Sequence, residues 1–252
     1  MTHIVTLSGN SRRFTDRGFA HKALCRIGGR TVIDIFVSKF RRFDHCDTIF
    51  LCRSEDLQTT SLEREIKLVA PTARIYGIEA NSLGPVYSIS RIFDKIDDSQ
   101  PVLVTYIDSI QKIDLVELES VFSKYEGGIT LHDFQNPHWR SNKSFCLVTH
   151  DSNSLAVNIA EKFDFSKFDF SSKSSGGSSG SYYFCSGSLM KIEFKNLMEK
   201  GVCINNEYYV SQALNKMIYA DMNVKCGYYP YVCLGTPEDV EDCCFWFDWF
   251  NG

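Results

Sequence analysis

Apolar positions along the first hundred residues switch between two periods. The runs Ile4-Val5-Thr6-Leu7, Thr48-Ile49-Phe50-Leu51-Cys52, Ala73-Arg74-Ile75-Tyr76-Gly77-Ile78 and Val102-Leu103-Val104-Thr105-Tyr106 are short and rich in β-branched and aromatic residues, the pattern of buried strands. Between them, Val32, Ile33, Phe36, Val37 and Phe40 recur at helical i, i+3, i+4 spacing behind Thr31 as a cap. An acidic helix is predicted over about 61–68, and another opens at 82–89 and continues through Ile92, Phe93 and Ile96. Strands alternating with helices predict an α/β fold with a parallel sheet covered by helices on both faces, where ligands sit at the carboxyl ends of the strands.

The second half changes character. Gly127-Gly128-Ile129-Thr130-Leu131-His132 reads as a strand after a glycine turn, and 144–149 pairs with 155–159 through Asp151-Ser152-Asn153 as a hairpin. The Ser/Gly-rich tract 171–181 is predicted to be a flexible surface loop. A strand over 182–185, helices from 188 and from 210, a last strand over 224–231 and a last helix over 237–250 follow. The aromatic end of that helix, Phe245, Trp246, Phe247, Trp249 and Phe250, reads as core or as an oligomer contact.

With 252 residues, 44% of them hydrophobic, the chain can bury a large core as one domain or as a domain with a small elaboration. Lys and Arg number 27 against 31 Asp and Glu, a net charge of −4, which argues against a nucleic-acid binder while leaving room for a local basic pocket. No run is long enough to span a bilayer and no signal-peptide layout opens the chain, so a cytoplasmic protein without a membrane partner is expected. The ten scattered cysteines show no zinc-site spacing and read as reduced, mostly buried small hydrophobes.

Two segments fall where ligands would sit. The loop Ser8-Gly9-Asn10-Ser11-Arg12-Arg13 follows the first strand; its small residues permit close approach of an anion and its guanidinium groups match phosphate oxygens, although an ordinary turn with solvated arginines has the same composition. Asp108 follows the most strand-like run; an acid there suits a Mg²⁺ ion bridging phosphates, or equally a helix cap or turn.

Eight segments, in order and spanning nearly the whole chain, resemble those of the sugar-phosphate nucleotidylyltransferases. The loop Ser8 to Phe14 is similar to A-G-x-G-S-R-F, His21-Lys22-Ala23-Leu24 to P-K-x-L, and Tyr106-Ile107-Asp108 to Y-C-D. Ser82-Leu83-Gly84-Pro85, Ile159-Ala160-Glu161-Lys162, Gly180 to Phe184, Asn206 to Val210 and Leu234-Gly235-Thr236-Pro237-Glu238-Asp239 complete the series. The likeness is greatest to short bacterial members that serve capsule and surface-polysaccharide pathways.

The resemblance implies a three-layer α/β/α sandwich with a mostly parallel, Rossmann-like sheet of the nucleotide-diphospho-sugar transferase type. It implies one domain over 1–252, with a nucleotide-binding half at 1–110 and a second-substrate half at 111–252. The implied reaction joins an NTP, CTP slightly preferred, to a sugar phosphate or other small phosphorylated metabolite and releases pyrophosphate. Carried over residue by residue, Arg13 binds the departing phosphates, Lys22 bridges the α-phosphate and the incoming phosphate, and Asp108 holds Mg²⁺. Leu7, Ser8, Gly9, Asn10, Ser11 and Arg12 form the triphosphate loop and Gly84 admits the base. Lys162 meets the second substrate's phosphate, and Glu161 and Glu207 its polar groups. A homodimer is the default assembly.

Four positions depart from the family pattern. Ser11 and Arg12 replace small residues of the loop, His21 stands where proline is usual, and Cys233 stands where many relatives carry a second metal-binding aspartate. These departures keep open a catalytically silent nucleotide or sugar-phosphate binder. A glycosyltransferase of the same fold is a further alternative, though Tyr106-Ile107-Asp108-Ser109 lacks the D-x-D such enzymes usually show at this strand end.

Overall fold

The structure, a computed structural model, describes residues 1–9, 11–133, 144–164 and 174–251; Asn10 and 171–173, named above, lie outside the described residues. The four strands expected in the first half are present as β1 (Thr2–Leu7), β2 (Asp47–Arg53), β3 (Arg74–Ile78) and β4 (Val102–Tyr106). They pair in parallel in the order β4-β1-β2-β3. Successive side chains of β1 enter opposite cores: Ile4 packs with Ile49, Val104 and Val86, while Val5 and Leu7 pack with Phe50, Ile33 and Phe36. That two-sided burial is why the run reads as continuously apolar.

Helices cover both faces. After the one-turn α1 (Arg12–Thr15), α2 (Val32–Lys39) is capped by Thr31, whose Oγ1 accepts from the Asp34 N–H at 3.3 Å. With α4 (Leu62–Val69), which follows the short α3 (Ser54–Thr59), it covers one face. The other face carries α5 (Gly84–Ser90), and α6 (Leu115–Phe122) returns to the first. The helix expected to run through Ile96 ends at Ser90; a separate 3-10 turn, Phe93–Lys95, follows, and Ile92 and Ile96 are buried all the same.

Among the described residues the second half extends the sheet to nine strands with β5 (Gly127–His132), β6 (Ser144–His150), β7 (Ala156–Asp164), β8 (Ser175–Phe184) and β9 (Val224–Tyr228). The expected β6–β7 hairpin is antiparallel. Helices α7 (Gly187–Glu199) and α8 (Val210–Ile218) pack on the α5 face, and α9 (Pro237–Asn251) closes the chain. The result is the expected α/β architecture of helices around a large central sheet. Among the described residues no helix is long and apolar enough to cross a membrane.

Four expectations change. The Ser/Gly tract is, from Ser175 on, the buried central strand β8, antiparallel to β4, β5 and β6. Small side chains are needed there because neighbours fill the space. A Cβ on Gly177 would stand 2.4 Å from His132 Nε2, and one on Gly180 2.3 Å from Ser109 Oγ. Gly180 also takes φ +81°, bending the strand where it passes from β6 to β4. The strand expected over 127–132 keeps its bounds as β5, with Gly128 under the ring of Phe122. The last strand divides at Pro230, and Tyr231–Cys233 instead pairs with Ser109–Gln111. Finally, the aromatic end of α9 is exposed rather than core, and of the ten cysteines four are buried and Cys203 is exposed.

A polar seam crosses the sheet centre. His3 is wholly buried with Nε2 3.1 Å from Thr105 Oγ1, which lies 3.0 Å from Ser181 Oγ; Gln111 Nε2 donates to that same Oγ at 2.7 Å. Burial pushes His3 down to about 3, and burial, then the charge of Lys22, pushes His21 to about 4. Both imidazoles stay neutral in the fold while the unfolded chain protonates them near pH 6.5. Stability is therefore complete above pH 6.5 and falls with acidification toward those lower values, because only the unfolded state takes up the protons.

Two outcomes are expected. The melting temperature falls between pH 6.5 and 5, above the range of ordinary carboxylates, and His3→Gln lessens the slope in thermal denaturation across a pH series; a flat profile would contradict the assignment. Gly177→Ala drives a methyl into the His132 ring and costs about 1–3 kcal/mol of overpacking, read in the same assay as a drop of about 2–4 °C per kcal/mol.

Candidate active site

The carboxyl ends of β1 and β4 open on one cavity of about 400 Å³, a size that suits a small ligand. The chain enters it just past Leu7. Leu7 itself is buried in the core, so only its backbone is available to a ligand. Ser8 and Gly9 line the wall, and a Cβ on Gly9 would meet no protein atom within 4 Å, which leaves the space above it to the cavity. Arg13 of α1 faces the cavity. Ser11 is tucked beneath the loop with its Oγ buried and unpartnered, and Arg12 is exposed outside the lining.

Lys22 arrives on a 3-10 turn, Lys22–Leu24, capped by His21, whose Nδ1 accepts from the Ala23 N–H at 3.1 Å. His21 is fully buried, and its Nε2 lies 3.7 Å from Asp56 Oδ2. So fixed, the turn sends Lys22 Nζ to within 2.8 Å of Asp108 Oδ2, both groups remaining partly open to the cavity. The opposite wall is built by α5. Gly84 sits at φ +87° under Tyr208, held by Tyr208 N donating to Leu83 O at 2.9 Å and Val86 N donating to Tyr208 O at 3.1 Å. Pro85 presets the first helical turn.

The remaining wall comes from the second half. Lys162 takes φ +55° beside an irregular register between β6 and β7; such a bulge re-aims a side chain. Its Nζ lies 5.4 Å above the Tyr209 ring, a cation–π contact. Asn205 and Asn206, at φ +53° and +63°, form a tight turn closed by paired backbone bonds between Ile204 and Glu207. The turn presents Glu207 to the cavity, where it accepts a short hydrogen bond from the Tyr209 hydroxyl. Burial, then Glu207, raises the Tyr209 pKa, so the phenol remains a donor.

Of the candidate residues, the structure thus brings Ser8, Gly9, Arg13, Lys22, Gly84, Asp108, Lys162 and Glu207 to one cavity. Glu161 is not in the lining; its Oε2 accepts from the Ser211 hydroxyl behind the wall. Thr6, Asn81 and Ser88 line the cavity and were not singled out, since isolated small polar residues carry no spacing signal. Tyr106 and Tyr209 also line it and lay within recognised segments without an assigned part.

The pairing of Tyr231–Cys233 with Ser109–Gln111 brings Cys233 beside Asp108, whose carbonyl accepts from Leu234 N at 2.8 Å. Burial first, then the charges of Asp108 and Asp239, pushes the Cys233 thiol up to about 12. Asp239 also approaches: a Cβ on Gly235 would be 3.7 Å from Asp108 Oδ2 and 3.9 Å from Asp239 Oδ2. Asp239 Oδ2 accepts from Thr236 N at 2.8 Å while Thr236 Oγ1 accepts from Asp239 N at 3.2 Å, a reciprocal cap that starts α9. Its signal was the spacing Thr-x-x-Asp. Among the described residues no cluster of three or more His, Cys, Asp or Glu could hold a metal ion. Asp108 by itself suits Mg²⁺, which needs only one or two carboxylates when phosphates complete its shell.

The sequence model of the MobA-like NTP transferase domain matches residues 4–130, half of the chain. No curated protein matches the sequence. Among solved structures, a nucleoside-diphosphate-sugar pyrophosphorylase from Vibrio cholerae superposes with a TM-score of 0.76 at 15% identity, over 97% of this chain and 100% of that one. A UDP-glucose pyrophosphorylase complexed with UDP-glucose gives 0.73 at 12%, over 99% and 98%. The inositol-1-phosphate CTP transferase from T. maritima gives 0.68 at 14%, over 98% and 96%. At these identities the likeness is one of fold.

The wall at Gly84 yields a stability prediction. A Cβ there would stand 2.8 Å from Tyr208 N in a backbone conformation that side chains rarely adopt. Gly84→Ala is expected to cost about 1–3 kcal/mol, measured by denaturant unfolding; an unchanged midpoint would show that the wall yields freely.

Proposed function

The chain belongs to the MobA-like NTP transferase domain family, and from that premise we propose a nucleotidylyltransferase that joins an NTP to a sugar phosphate or other small phosphorylated metabolite. CTP is the preferred nucleotide, Mg²⁺ the metal, and capsule or surface-polysaccharide precursor synthesis in the cytoplasm the setting. The single observation that carries the reading is the convergence of Arg13, Lys22, Asp108 and Lys162, from four separate parts of the chain, on one cavity. Residues 1–110 supply its nucleotide half and 111–252 its second-substrate half, within one domain.

In this reaction an oxygen of the acceptor phosphate attacks the α-phosphorus, the bond from that phosphorus to the α,β-bridging oxygen breaks, and pyrophosphate leaves. Both reactants are anions, so the protein contributes alignment and neutralisation rather than a covalent intermediate. Arg13 takes the departing phosphates. Lys22 trades its bond to Asp108 for the α-phosphate and the incoming phosphate. Backbone N–H groups from Leu7 to Arg12, Gly9 and Asn10 foremost, cradle the triphosphate, and Gly84 leaves room for the base. Lys162 receives the acceptor's phosphate. Glu207 accepts from its hydroxyl or other polar groups, whereas Glu161, bonded to Ser211 outside the cavity lining, would need to leave that bond to reach them. Asp108 would hold Mg²⁺, which when bound adds positive charge at the α-phosphate.

A second reading, a silent binder, is favoured by one observation: the thiol of Cys233 occupies the place beside Asp108 where a second carboxylate would add charge. Incubation with Mg²⁺, each NTP and a panel of phosphorylated small molecules, with pyrophosphate as the readout, separates the two. Release with one pairing is expected; NTP binding without release from any pairing would favour the silent binder, and cleavage of a supplied nucleotide sugar the glycosyltransferase. Asp108→Asn and Lys22→Ala are each expected to cut turnover by about 10²–10³, the worth of one charge-stabilising group. Near-normal turnover in both would remove the site assignment.

A further inference from the structure

The outer end of α9 exposes a run of large aromatics with no counterpart among the other described residues. Phe245, Trp246, Trp249 and Phe250 are 60%, 54%, 70% and 78% exposed, and Phe247 is 42% exposed. The rings are already ordered against one another. Phe245 stacks on Trp249 at 6.5 Å and 18°, Trp246 stacks on Phe250 at 6.0 Å and 26°, and Phe245 meets Trp246 edge-on at 5.2 Å. The i, i+4 stacking makes two adjacent columns along the helix, a ridge that loses little freedom when covered.

Two further observations identify what covers it. The first is area. At about 200 Å² for a large aromatic side chain, the five rings offer roughly 600 Å², the greater part of the ~800 Å² that one partner contributes to a standard interface. The second is charge. The chain carries no Lys or Arg after Lys225, and α9 adds the exposed Asp242 and Asp248 to the Glu238 and Glu241 that Arg17 already pairs, which disfavours an anionic lipid surface. Alongside α9 lies the hairpin Arg26–Ile27/Arg30–Thr31, with the Phe247 ring over Gly28 and Cys244 Sγ donating to Arg26 O at 3.2 Å. That hairpin carries two exposed arginines, Arg26 and Arg30. Arg30 is bonded to Asp34, so the groups left beside the aromatic ridge are the exposed Arg26 of the hairpin and the exposed Asp242 and Asp248 of α9, opposite charges that a two-fold, self-complementary contact can pair.

We propose that this face joins two copies of the chain into a homodimer, the aromatic columns of the two α9 helices interdigitating across the axis and the Arg26 hairpin of each copy meeting the acidic flank of the other. Sedimentation equilibrium of the full chain from micromolar to hundreds of micromolar should show the mass rising from 28.8 kDa toward twice that value. A monomer throughout that range would overturn the proposal. Trp246→Ser combined with Trp249→Ser should give a monomer with an unchanged melting temperature; a folded double variant that still dimerises would also overturn it.

The wild-type chain supplies an independent readout should the double variant fail to fold. Two of its three tryptophans lie on α9, so their emission should shift to the blue over the concentrations at which the mass doubles. A mass transition without that shift would place the interface elsewhere and refute the assignment.

Discussion

The parallel seating of β1 between β4 and β2 is the constraint on which the rest depends. Parallel strands leave no edge or face to water, so each of the three must be apolar on both sides, and their connections must run over the helices before the chain returns. The carboxyl ends therefore fall together. Register does the rest: Thr6 lies opposite Tyr106, so the loop after Leu7 and the turn at Asp108 emerge side by side although a hundred residues separate them.

On that frame the cavity is a problem of charge. Arg13, Lys22 and Lys162 face Asp108 and Glu207 across a partly open space, and four of these five groups are held by contacts within the protein. Lys22 and Asp108 satisfy each other at 2.8 Å. Lys162 rests over Tyr209, whose hydroxyl satisfies Glu207. On the proposed reading, an anion entering the cavity would replace these contacts instead of meeting bare charges, and the contacts offset part of the desolvation cost of gathering these groups.

The last helix ties the halves together. The Thr236–Asp239 cap starts α9 next to Asp108 and Cys233, and Arg17, just after α1, reaches Glu238 and Glu241 on its first turns. Further along, Phe247 closes over the Gly28 turn of the hairpin that follows Lys22. Both segments that feed the cavity from the first half thus lean on the same C-terminal helix, and contacts made by its outer face bear on them through packing.

The sequence by itself determined the parallel half of the fold, because burial on both faces of β1, β2 and β4 forces long apolar runs and burial on one face of α2 forces a helical period. It also pointed to residues that the structure gathers at one cavity: Gly9 and Arg13 after a strand, Asp108 at a strand end and, through the family resemblance, Gly84 before Pro85. Only the tertiary structure decided the parts set by distant neighbours. Composition made 171–181 read as a loop, yet Gly177 and Gly180 are small because His132 and Ser109 occupy the space their side chains would need. Glu161 and Lys162 are adjacent in sequence, but the irregular register at β6–β7 turns the lysine to the cavity and leaves the glutamate with Ser211. Whether an aromatic helix end lies inside or outside depends on what packs against it, and no local period records that.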